Sequence, residues 1–228
     1  MLVKNNIIPK HHVVTIHAEA TIKEAKQALD ESGYRCIPAI DENGKYHGML
    51  FRDRIESHEN ECFRSRKTPN ENRKITKFLD NPDTFVFEET SFPQAMIQVK
   101  ALPFIAVLDE WKNFVGILTH NKVFDVLEQS FGLQSGEYII TIVSPEKQGA
   151  VAELTKSLNK RGINIEGLMT MDDDGSKVVR RLCIAVSNVN EGLLNELFDK
   201  LERKGYRILQ TERIEKSDVI KHAIGRES

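Results

Sequence analysis

Residues 37–51, IPAIDENGKYHGMLF, align without a gap with residues 105–119, IAVLDEWKNFVGILT. The two blocks share an Asp-Glu pair, a later glycine, and apolar residues at matching positions. Because apolar runs flank a polar segment in each block, each one predicts a strand, a turn and a second strand. A repeat within one chain therefore predicts two copies of one folding unit.

A helix with the same start signal precedes each block. Thr21-Ile22-Lys23-Glu24 and Ser91-Phe92-Pro93-Gln94 both fit the capping box, in which the first side chain bonds a backbone N–H and the fourth bonds back. Runs rich in β-branched or aromatic residues at 13–16 and 84–87 predict strands ahead of these helices. An amphipathic segment follows each block. Each unit is thus predicted to have the order β-α-β-β-α.

A charged stretch at residues 58–74 separates the two copies. It has no sustained apolar period, which predicts a solvated connection. We place the first unit, with this connection, at residues 1–70 and the second at residues 71–134.

The pattern changes after residue 136. Residues 138–143 read as a buried strand, and an amphipathic helix ending at Gly162 follows. Strands are predicted from Ile163 and over 178–186, joined by an acidic turn, and a second helix ends at Gly205 before a last strand at 206–209. This βαββαβ order predicts a ferredoxin-like domain at residues 136–215, followed by a polar tail at 216–228. The expected fold class is α+β.

Composition narrows the function classes. The chain has 228 residues, 40% hydrophobic and 29% charged, with a formal net charge of -2. No basic field is expected to attract nucleic acid, and no apolar stretch suggests a signal peptide or membrane span, so we expect a cytoplasmic protein. The widely spaced Cys36, Cys62 and Cys183 predict reduced thiols without a metal site.

Motifs of catalysis are missing from the sequence. It has no Gly-x-Ser-x-Gly, no Walker loop and no Gly-x-Gly-x-x-Gly. We therefore expect a protein that is not an enzyme.

The repeat resembles the CBS motif in its element order, its period of about seventy residues and its hydrophobic-Pro-x-x-Asp-x-x-Gly core. The resemblance is carried by residues 37–41 and 116–119, with Ala106 standing where the first copy has Pro38. Two CBS motifs in tandem make a Bateman module. The resemblance implies a cleft between the motifs that holds an adenine against apolar backbone.

CBS proteins end the second strand of the pair in Thr or Ser, with Asp three residues later for the ribose hydroxyls. This chain has Thr119 with Lys122 in the second copy, and Phe51 with Arg54 in the first. A cation cannot accept hydroxyl donors but can neutralise phosphate, which favours a ligand rich in phosphate charge. Phe51 predicts a closed or adapted first site, and hence one ligand per chain.

Residues 34–38, YRCIP, resemble the Gly-Tyr-x-x-Ile-Pro stretch of CBS proteins that bind cyclic di-AMP, whose Tyr ring stacks on a base. Those relatives also use a Lys ahead of the first strand and basic residues after the Thr. The alternative stays open that Tyr34 is a core aromatic and Lys10 a solvent charge. The candidate nucleotide-binding residues are Lys10, His12, Val14, Tyr34, Arg35, Cys36, Pro38, Thr119, His120, Asn121 and Lys122.

Residues 145–149, PEKQG, and 161–165, RGINI, resemble the ACT domain, whose usual loop is Asp-Arg-Pro-Gly. Glu146 stands for that Asp and Gln148 for the Pro. The resemblance implies a candidate amino-acid-binding site at Glu146, Gln148, Gly149 and Asn164. The alternative is that Gly149 makes a tight turn and the domain serves dimerisation.

The order CBS, CBS, ACT is similar to bacterial acetoin-utilisation regulators and to a set of cyclic di-AMP receptors. It implies a regulatory sensor of cyclic di-AMP, AMP, ADP or ATP that acts as a homodimer on an unknown downstream protein. The nucleotide would be a regulatory ligand, with no other cofactor, and an amino acid remains a candidate second ligand. The alternatives are a structural dimerisation module and an amino-acid-responsive regulator with empty CBS clefts.

Overall fold

We analysed a computed structural model of the chain, which describes residues 1–145, 148–172 and 179–215. It has α-helices α1 Ile22–Ser32, α2 Arg52–Arg64, α3 Phe92–Val99, α4 His120–Ser130, α5 Ala150–Asn159 and α6 Glu191–Glu202. The strands are β1 Ile8–Pro9, β2 Ile16–His17, β3 Cys36–Ile40, β4 Tyr46–Phe51, β5 Leu79–Asp80, β6 Phe85–Phe87, β7 Phe104–Leu108, β8 Phe114–Thr119, β9 Tyr138–Pro145, β10 Asn164–Asp172, β11 Val179–Ser187 and β12 Arg207–Arg213. Short 3-10 helices lie at Val3–Asn6, Lys10–His12 and Ile75–Phe78.

Two compact units divide the chain after Phe124. The N-terminal unit has two four-stranded sheets, in the orders β2-β3-β4-β5 and β1-β8-β7-β6. The C-terminal unit has one, in the order β10-β11-β9-β12. The α+β fold class is confirmed.

The two repeated blocks form equivalent hairpins, β3–β4 and β7–β8. In the first turn the Asp41 carboxylate accepts the backbone N–H groups of Asn43 and Lys45, at 2.9 and 2.8 Å. The carboxylate of Asp109 accepts those of Trp111 and Asn113 in the same way, at 3.0 and 2.7 Å. These Asx turns confirm the strand, turn and strand predicted from the repeat.

The capping box of α1 is confirmed. The Thr21 hydroxyl accepts the Glu24 N–H at 3.3 Å, and the Glu24 carboxylate accepts the Thr21 N–H at 2.7 Å. The capping box predicted at Ser91 is wrong. There the Gln94 N–H donates to the Ser91 carbonyl oxygen at 3.1 Å, and the Ser91 hydroxyl donates to the Gln94 side chain instead.

Each copy receives an edge strand from the segment that leads into the other copy. Strand β1, ahead of the first copy, pairs with β8, and β5, ahead of the second, pairs with β4. The glycines conserved between the two blocks permit this close approach. A Cβ on Gly48 would lie 2.7 Å from the Asp80 carbonyl oxygen, and one on Gly116 would overlap the Ile8 carbonyl oxygen.

The segments that lead into each copy also bond to the N-terminus of the helix of the other copy, α1 or α3. The Ile22 N–H of α1 donates to the Arg73 carbonyl oxygen at 2.9 Å, and the Phe92 N–H of α3 donates to that of Met1 at 3.1 Å. Val3 and Ile75, in the two 3-10 helices that follow, are both fully buried. The predicted solvated connection at residues 58–74 is therefore partly wrong. Its first seven residues continue α2, which ends at Arg64, and its end is bonded to α1.

The C-terminal unit has the ferredoxin-like order predicted from the sequence. Neighbouring strands of its sheet are antiparallel throughout, and α5 and α6 bury their apolar sides against it. The helix-sheet core includes Ile142, Leu154, Leu182 and Leu197, all nearly inaccessible to solvent. The Tyr206 hydroxyl donates to the Ala150 carbonyl oxygen at 2.6 Å and thereby ties the start of β12 to α5. The predicted tail at 216–228 lies outside the described residues.

Candidate functional site

The two hairpins of the N-terminal unit meet in one apolar cluster, which we call the shared core. It consists of Met49, Phe104, Ala106, Leu108, Phe114 and Ile117, with Ile8, Val13, Cys36, Ile40, Tyr46, Phe51, Phe85 and Leu102 packed against it. Tyr46 and Phe114, at equivalent positions of the repeat, stack with ring centroids 6.3 Å apart. The sequence-predicted nucleotide site borders this core.

The turns of the two hairpins also contact each other. The Phe114 N–H donates to the Gly44 carbonyl oxygen at 2.8 Å, and the Lys45 ammonium donates to the Asn113 side-chain oxygen at 2.8 Å. Burial raises the pKa of the Tyr46 phenol, which lies beside this contact. The turns therefore hold the hairpins together at one end, and the strand ends at Cys36 and Thr119 lie at the other.

Tyr34 lies between α1 and β3, directly after the left-handed Gly33 that ends α1. Its side chain is 55% exposed, and its backbone N–H donates to the Ser32 hydroxyl at 3.4 Å. The Tyr34 ring is therefore at most partly buried. An exposed aromatic ring just before the first residue of a strand is available for stacking on a nucleotide base.

The residues after Tyr34 enter the sheet. The Arg35 side chain is exposed, and its carbonyl oxygen accepts the Arg52 N–H at 2.9 Å. Cys36 is half-buried, and burial, with smaller contributions from Asp53 and Asp80, raises the pKa of its thiol to about 12. That thiol remains protonated at neutral pH, so it packs rather than reacts. Pro38 is buried within β3.

The segment 119–122 turns from β8 into α4. The Thr119 hydroxyl accepts the Lys122 N–H at 3.3 Å, as an N-cap residue does. His120 and Asn121 are exposed at the first helical positions, and Lys122 is half-buried. Because the N-terminus of a helix presents unpaired N–H groups and a positive dipole end, this segment suits an anion.

The shared core brings three of the predicted segments together. Val13, Cys36 and Ile117 all belong to it. Val13 lies between His12 and Val14 in the sequence. Cys36 and Ile117 each lie two residues from a candidate, Tyr34 and Thr119 respectively. His12 is exposed and the Val14 side chain is 39% exposed.

Lys10 lies apart from Thr119. Pro9 pairs with Gly116, so the chain at Lys10 runs toward the turn end of β8. Its ammonium lies 3.2 Å from the place of a Cβ on Gly44, within the first turn. The structure therefore does not bring the Lys10 ammonium to the Thr119 end of the site.

The equivalent site of the first copy is occupied by protein groups. Phe51 packs against the shared core. The Arg54 guanidinium makes a bidentate ion pair with Asp80, at 2.6 and 2.9 Å. Sequence reasoning named Arg54 as a possible phosphate partner but missed Asp80, because the residues between them carry no signal that β5 lies beside β4.

The candidate amino-acid-binding residues of the C-terminal unit are spread out. Gln148 and Gly149 are exposed just ahead of α5, and Gly149 has a φ of 82° with open space around it. Asn164 is exposed at the start of β10. The strand register puts Asn164 at the opposite end of the sheet from Pro145, roughly 26 Å away along the strands at about 3.3 Å per residue. The structure does not bring them together within one chain, and Glu146 lies outside the described residues.

The described residues carry neither a metal-binding cluster nor a membrane-spanning helix. Within residues 1–145, 148–172 and 179–215, no group of three His, Cys, Asp or Glu side chains could hold a metal ion. None of the helices over the same residues has the length and apolar character needed to cross a bilayer.

Comparison with known proteins finds a family match for the first copy of the repeat. Residues 3–57 match the model of the CBS domain family, which confirms the CBS resemblance of the sequence. The fold is similar to the crystal structure of CbpB in complex with c-di-AMP, at 16% identity over 56% of this chain and 85% of that chain, with a TM-score of 0.50. At this identity the likeness shows the fold.

Two further solved structures have lower TM-scores. The Listeria monocytogenes CbpB protein in complex with c-di-AMP is 20% identical over 58% of this chain and 98% of that chain, with a TM-score of 0.49. A CBS domain pair/ACT domain protein from Thermotoga maritima is 17% identical over 56% and 96%, with a TM-score of 0.47. No curated protein matches the sequence.

Proposed function

We propose that this chain is a regulatory protein that binds an adenine nucleotide, with cyclic di-AMP as the first ligand to test. The site would be formed by Tyr34 to Pro38, by His12 and Val14, and by Thr119 to Lys122. The nucleotide would act as a regulatory ligand, with no catalysis and no further cofactor.

The exposed Tyr34 ring carries this proposal. A side chain that is 55% exposed contributes little to the stability of the core. Tyr34 nevertheless lies two residues before β3, whose residues 37–39 are buried. Stacking on an aromatic ring contributes about 1–3 kcal/mol per base and tolerates different bases. A flat purine is the ligand class that such a ring would recognise.

The charges near the second copy suit phosphate. Lys122 and the N-terminus of α4 stand where CBS proteins keep a ribose carboxylate, and neither group can accept a hydroxyl donor. Both favour an anion. A ligand with two phosphates, such as a cyclic dinucleotide, would use the ring and the charges together.

The fold neighbour agrees with this ligand class. The CbpB structure with a TM-score of 0.50 was solved with c-di-AMP bound. We carry that ligand over to this chain as a proposal, because the identity of 16% supports a shared fold and no shared residue roles.

We further propose that the C-terminal unit is an ACT domain and that the chain works as a cytoplasmic homodimer. Coupling would require the nucleotide to bind two arrangements of the dimer with unequal affinity. The separation of Asn164 from Gly149 within one chain favours a dimerisation role over an amino-acid site built from a single domain.

Isothermal titration of the full chain with cyclic di-AMP, AMP, ADP and ATP tests the proposal. Tyr34→Ala should weaken binding of the preferred nucleotide about tenfold, since the stacking face is lost. Tyr34→Phe is the matched control, because it keeps the ring and loses the hydroxyl. It should bind within about threefold of the wild type.

Two outcomes would overturn the proposal. One is no heat and no thermal shift with any of the four nucleotides, although a ligand at a hundred times its Kd should stabilise the fold by about 2.7 kcal/mol. The other is equal binding by Tyr34→Ala and wild type, which would place the ligand elsewhere.

A further inference from the structure

The groove between α5 and α6 carries an unusual concentration of positive charge. It is open to solvent on one side, has a volume of about 400 Å³ and is lined by Ala152, Glu153, Lys156, Ser157, Lys160, Lys200 and Lys204. Four of its seven lining residues are lysines, and one is a carboxylate. This groove belongs to the C-terminal unit and contains none of the residues of the proposed nucleotide site.

The lysines form two facing rows. Lys156 and Lys160 are four residues apart on α5 or at its end, and Lys200 and Lys204 are four apart on or beyond α6. Like charges at this spacing destabilise a helix, because the side chains are neighbours on one face. The lysines of such pairs repel each other, and an anion between the two helices would relieve that repulsion.

The carboxylate of the groove is already engaged at one end. Lys204 lies 3.0 Å from Glu153 Oε1 and donates to the Ser157 hydroxyl at 3.4 Å. Ser157 is itself nearly fully buried. In the described part of the chain, Lys156, Lys160 and Lys200 have no ion-pair partner.

Arg161 holds the two helices at a set separation. Its guanidinium donates to the Ser157 carbonyl oxygen of α5 at 3.2 Å and to the Glu196 carbonyl oxygen of α6 at 3.4 Å. Its Nε is buried and has no hydrogen-bond partner among the described residues. The contact between the two helices beside the groove is thus made by the Arg161 guanidinium, which adds a positive charge, and not by a carboxylate.

The surrounding charges also act on Lys200. The field of Arg161, with burial and with Lys160 and Lys204, lowers the pKa of the Lys200 ammonium. An anion in the groove would relieve this repulsion. Lysine ammonium groups are compact charges on flexible stems, and they suit the rounded, multiply charged surface of phosphate groups.

We propose that the groove between α5 and α6 binds a small oligophosphate through Lys156, Lys160 and Lys200. The source is either a free condensed phosphate or the phosphate chain of a nucleotide, which share this chemistry. A groove of about 400 Å³ that is open to solvent has room for a small, charged molecule.

Titration of the full chain with inorganic triphosphate tests this site. The wild type should show saturable binding that weakens with salt. The double variant Lys156→Gln/Lys200→Gln should lose about tenfold in affinity or more, because two of the charge-assisted contacts are removed. Arg203→Gln is the matched control, since it removes an exposed charge from the same end of α6 without lining the groove. It should bind within about twofold of wild type.

Triphosphate can also reach the anion site proposed at Lys122, so the double variant is measured in the Lys122→Gln background as well. The loss caused by Lys156→Gln/Lys200→Gln should persist there, whether or not the nucleotide proposal holds. Titration of Tyr34→Ala with ATP and with triphosphate compares their affinities for the groove. Tighter binding of ATP indicates the phosphate chain of a nucleotide, and tighter binding of triphosphate indicates a free condensed phosphate. Absence of saturable triphosphate binding would overturn the inference. So would an equal loss in Arg203→Gln, which would indicate unspecific attraction, or a loss confined to Lys122→Gln.

Discussion

The two copies of the internal repeat share a backbone plan and differ in what surrounds the end of their second strand. In the first copy Phe51 packs into the shared core and Arg54 is bound to Asp80. In the second copy Thr119 caps α4, and exposed polar residues follow it. The end of β4 is therefore filled by the protein's own side chains, whereas the end of β8 is bordered by exposed polar side chains. The two copies thus keep one framework and differ in which strand end is filled by the protein's own side chains.

The largest expected effect concerns the stacked pair at the centre of the shared core. Phe114 is 2% exposed, whereas its counterpart Tyr46 is only partly buried. Phe114→Ala should lower the free energy of unfolding by about 3–5 kcal/mol, because the cavity forms in a closed part of the core. Tyr46→Ala should cost less. Urea unfolding followed by circular dichroism measures both, and equal losses would contradict the asymmetry of the copies.

The exchanged edge strands predict a somewhat smaller effect. Gly48→Ala puts a Cβ 2.7 Å from the Asp80 carbonyl oxygen at a φ of 130°, so strain of about 1–3 kcal/mol adds to the overlap. Gly116→Ala meets the Ile8 carbonyl oxygen and should also destabilise the fold. The control is Gly33→Ala, whose Cβ would have open space at a φ of 70°. Thermal melts in which Gly33→Ala costs as much as Gly48→Ala would show that the close approach does not matter.

The smallest effect is a pH dependence in the first turn. Hydrogen bonds from His47, and from the backbone N–H groups of Lys45 and Asn43, hold the pKa of Asp41 below its ordinary value. A lowered pKa contributes stability at pH values above the unfolded pKa of about 4, and this stability disappears as the pH falls through the folded pKa. The difference in Tm between wild type and Asp41→Asn should therefore shrink on acidification.

Glu42→Gln, an exposed neighbour in the same turn, is the control for that measurement. Its Tm difference from wild type should vary less with pH than that of Asp41→Asn. A pH-independent difference for Asp41→Asn would show that the turn does not depend on the ionised carboxylate.

The elements of the fold followed closely from local pattern. The repeat predicted both hairpins, because an Asx turn depends on residues within one short block, such as Asp41 and Lys45. The βαββαβ order of the C-terminal unit followed from apolar periodicity in the same way. The capping box at Thr21 formed as predicted, and the one at Ser91 did not.

The candidate site was less accessible to sequence reasoning. Tyr34 and Thr119 were named from motifs, and the structure exposes the Tyr34 ring as that role requires. The position of Lys10 beside Gly44, and the pairing of Arg54 with Asp80, had no local signal. Whether these residues bind a nucleotide remains a prediction, as do the domain boundaries drawn from the sequence.

Residue order by itself determined the helices, the hairpins and the duplication, because turns, caps and apolar periods act between residues close in the chain. Phe51 already predicted a closed or adapted first site, but tertiary structure alone decided that Asp80 pairs with Arg54 there, since that depends on β5 reaching the sheet of the first copy. It also brought the lysines of α5 and α6 to one groove. Contacts between residues distant in the sequence form only when strands pair at the edges of sheets and helices pack against their neighbours.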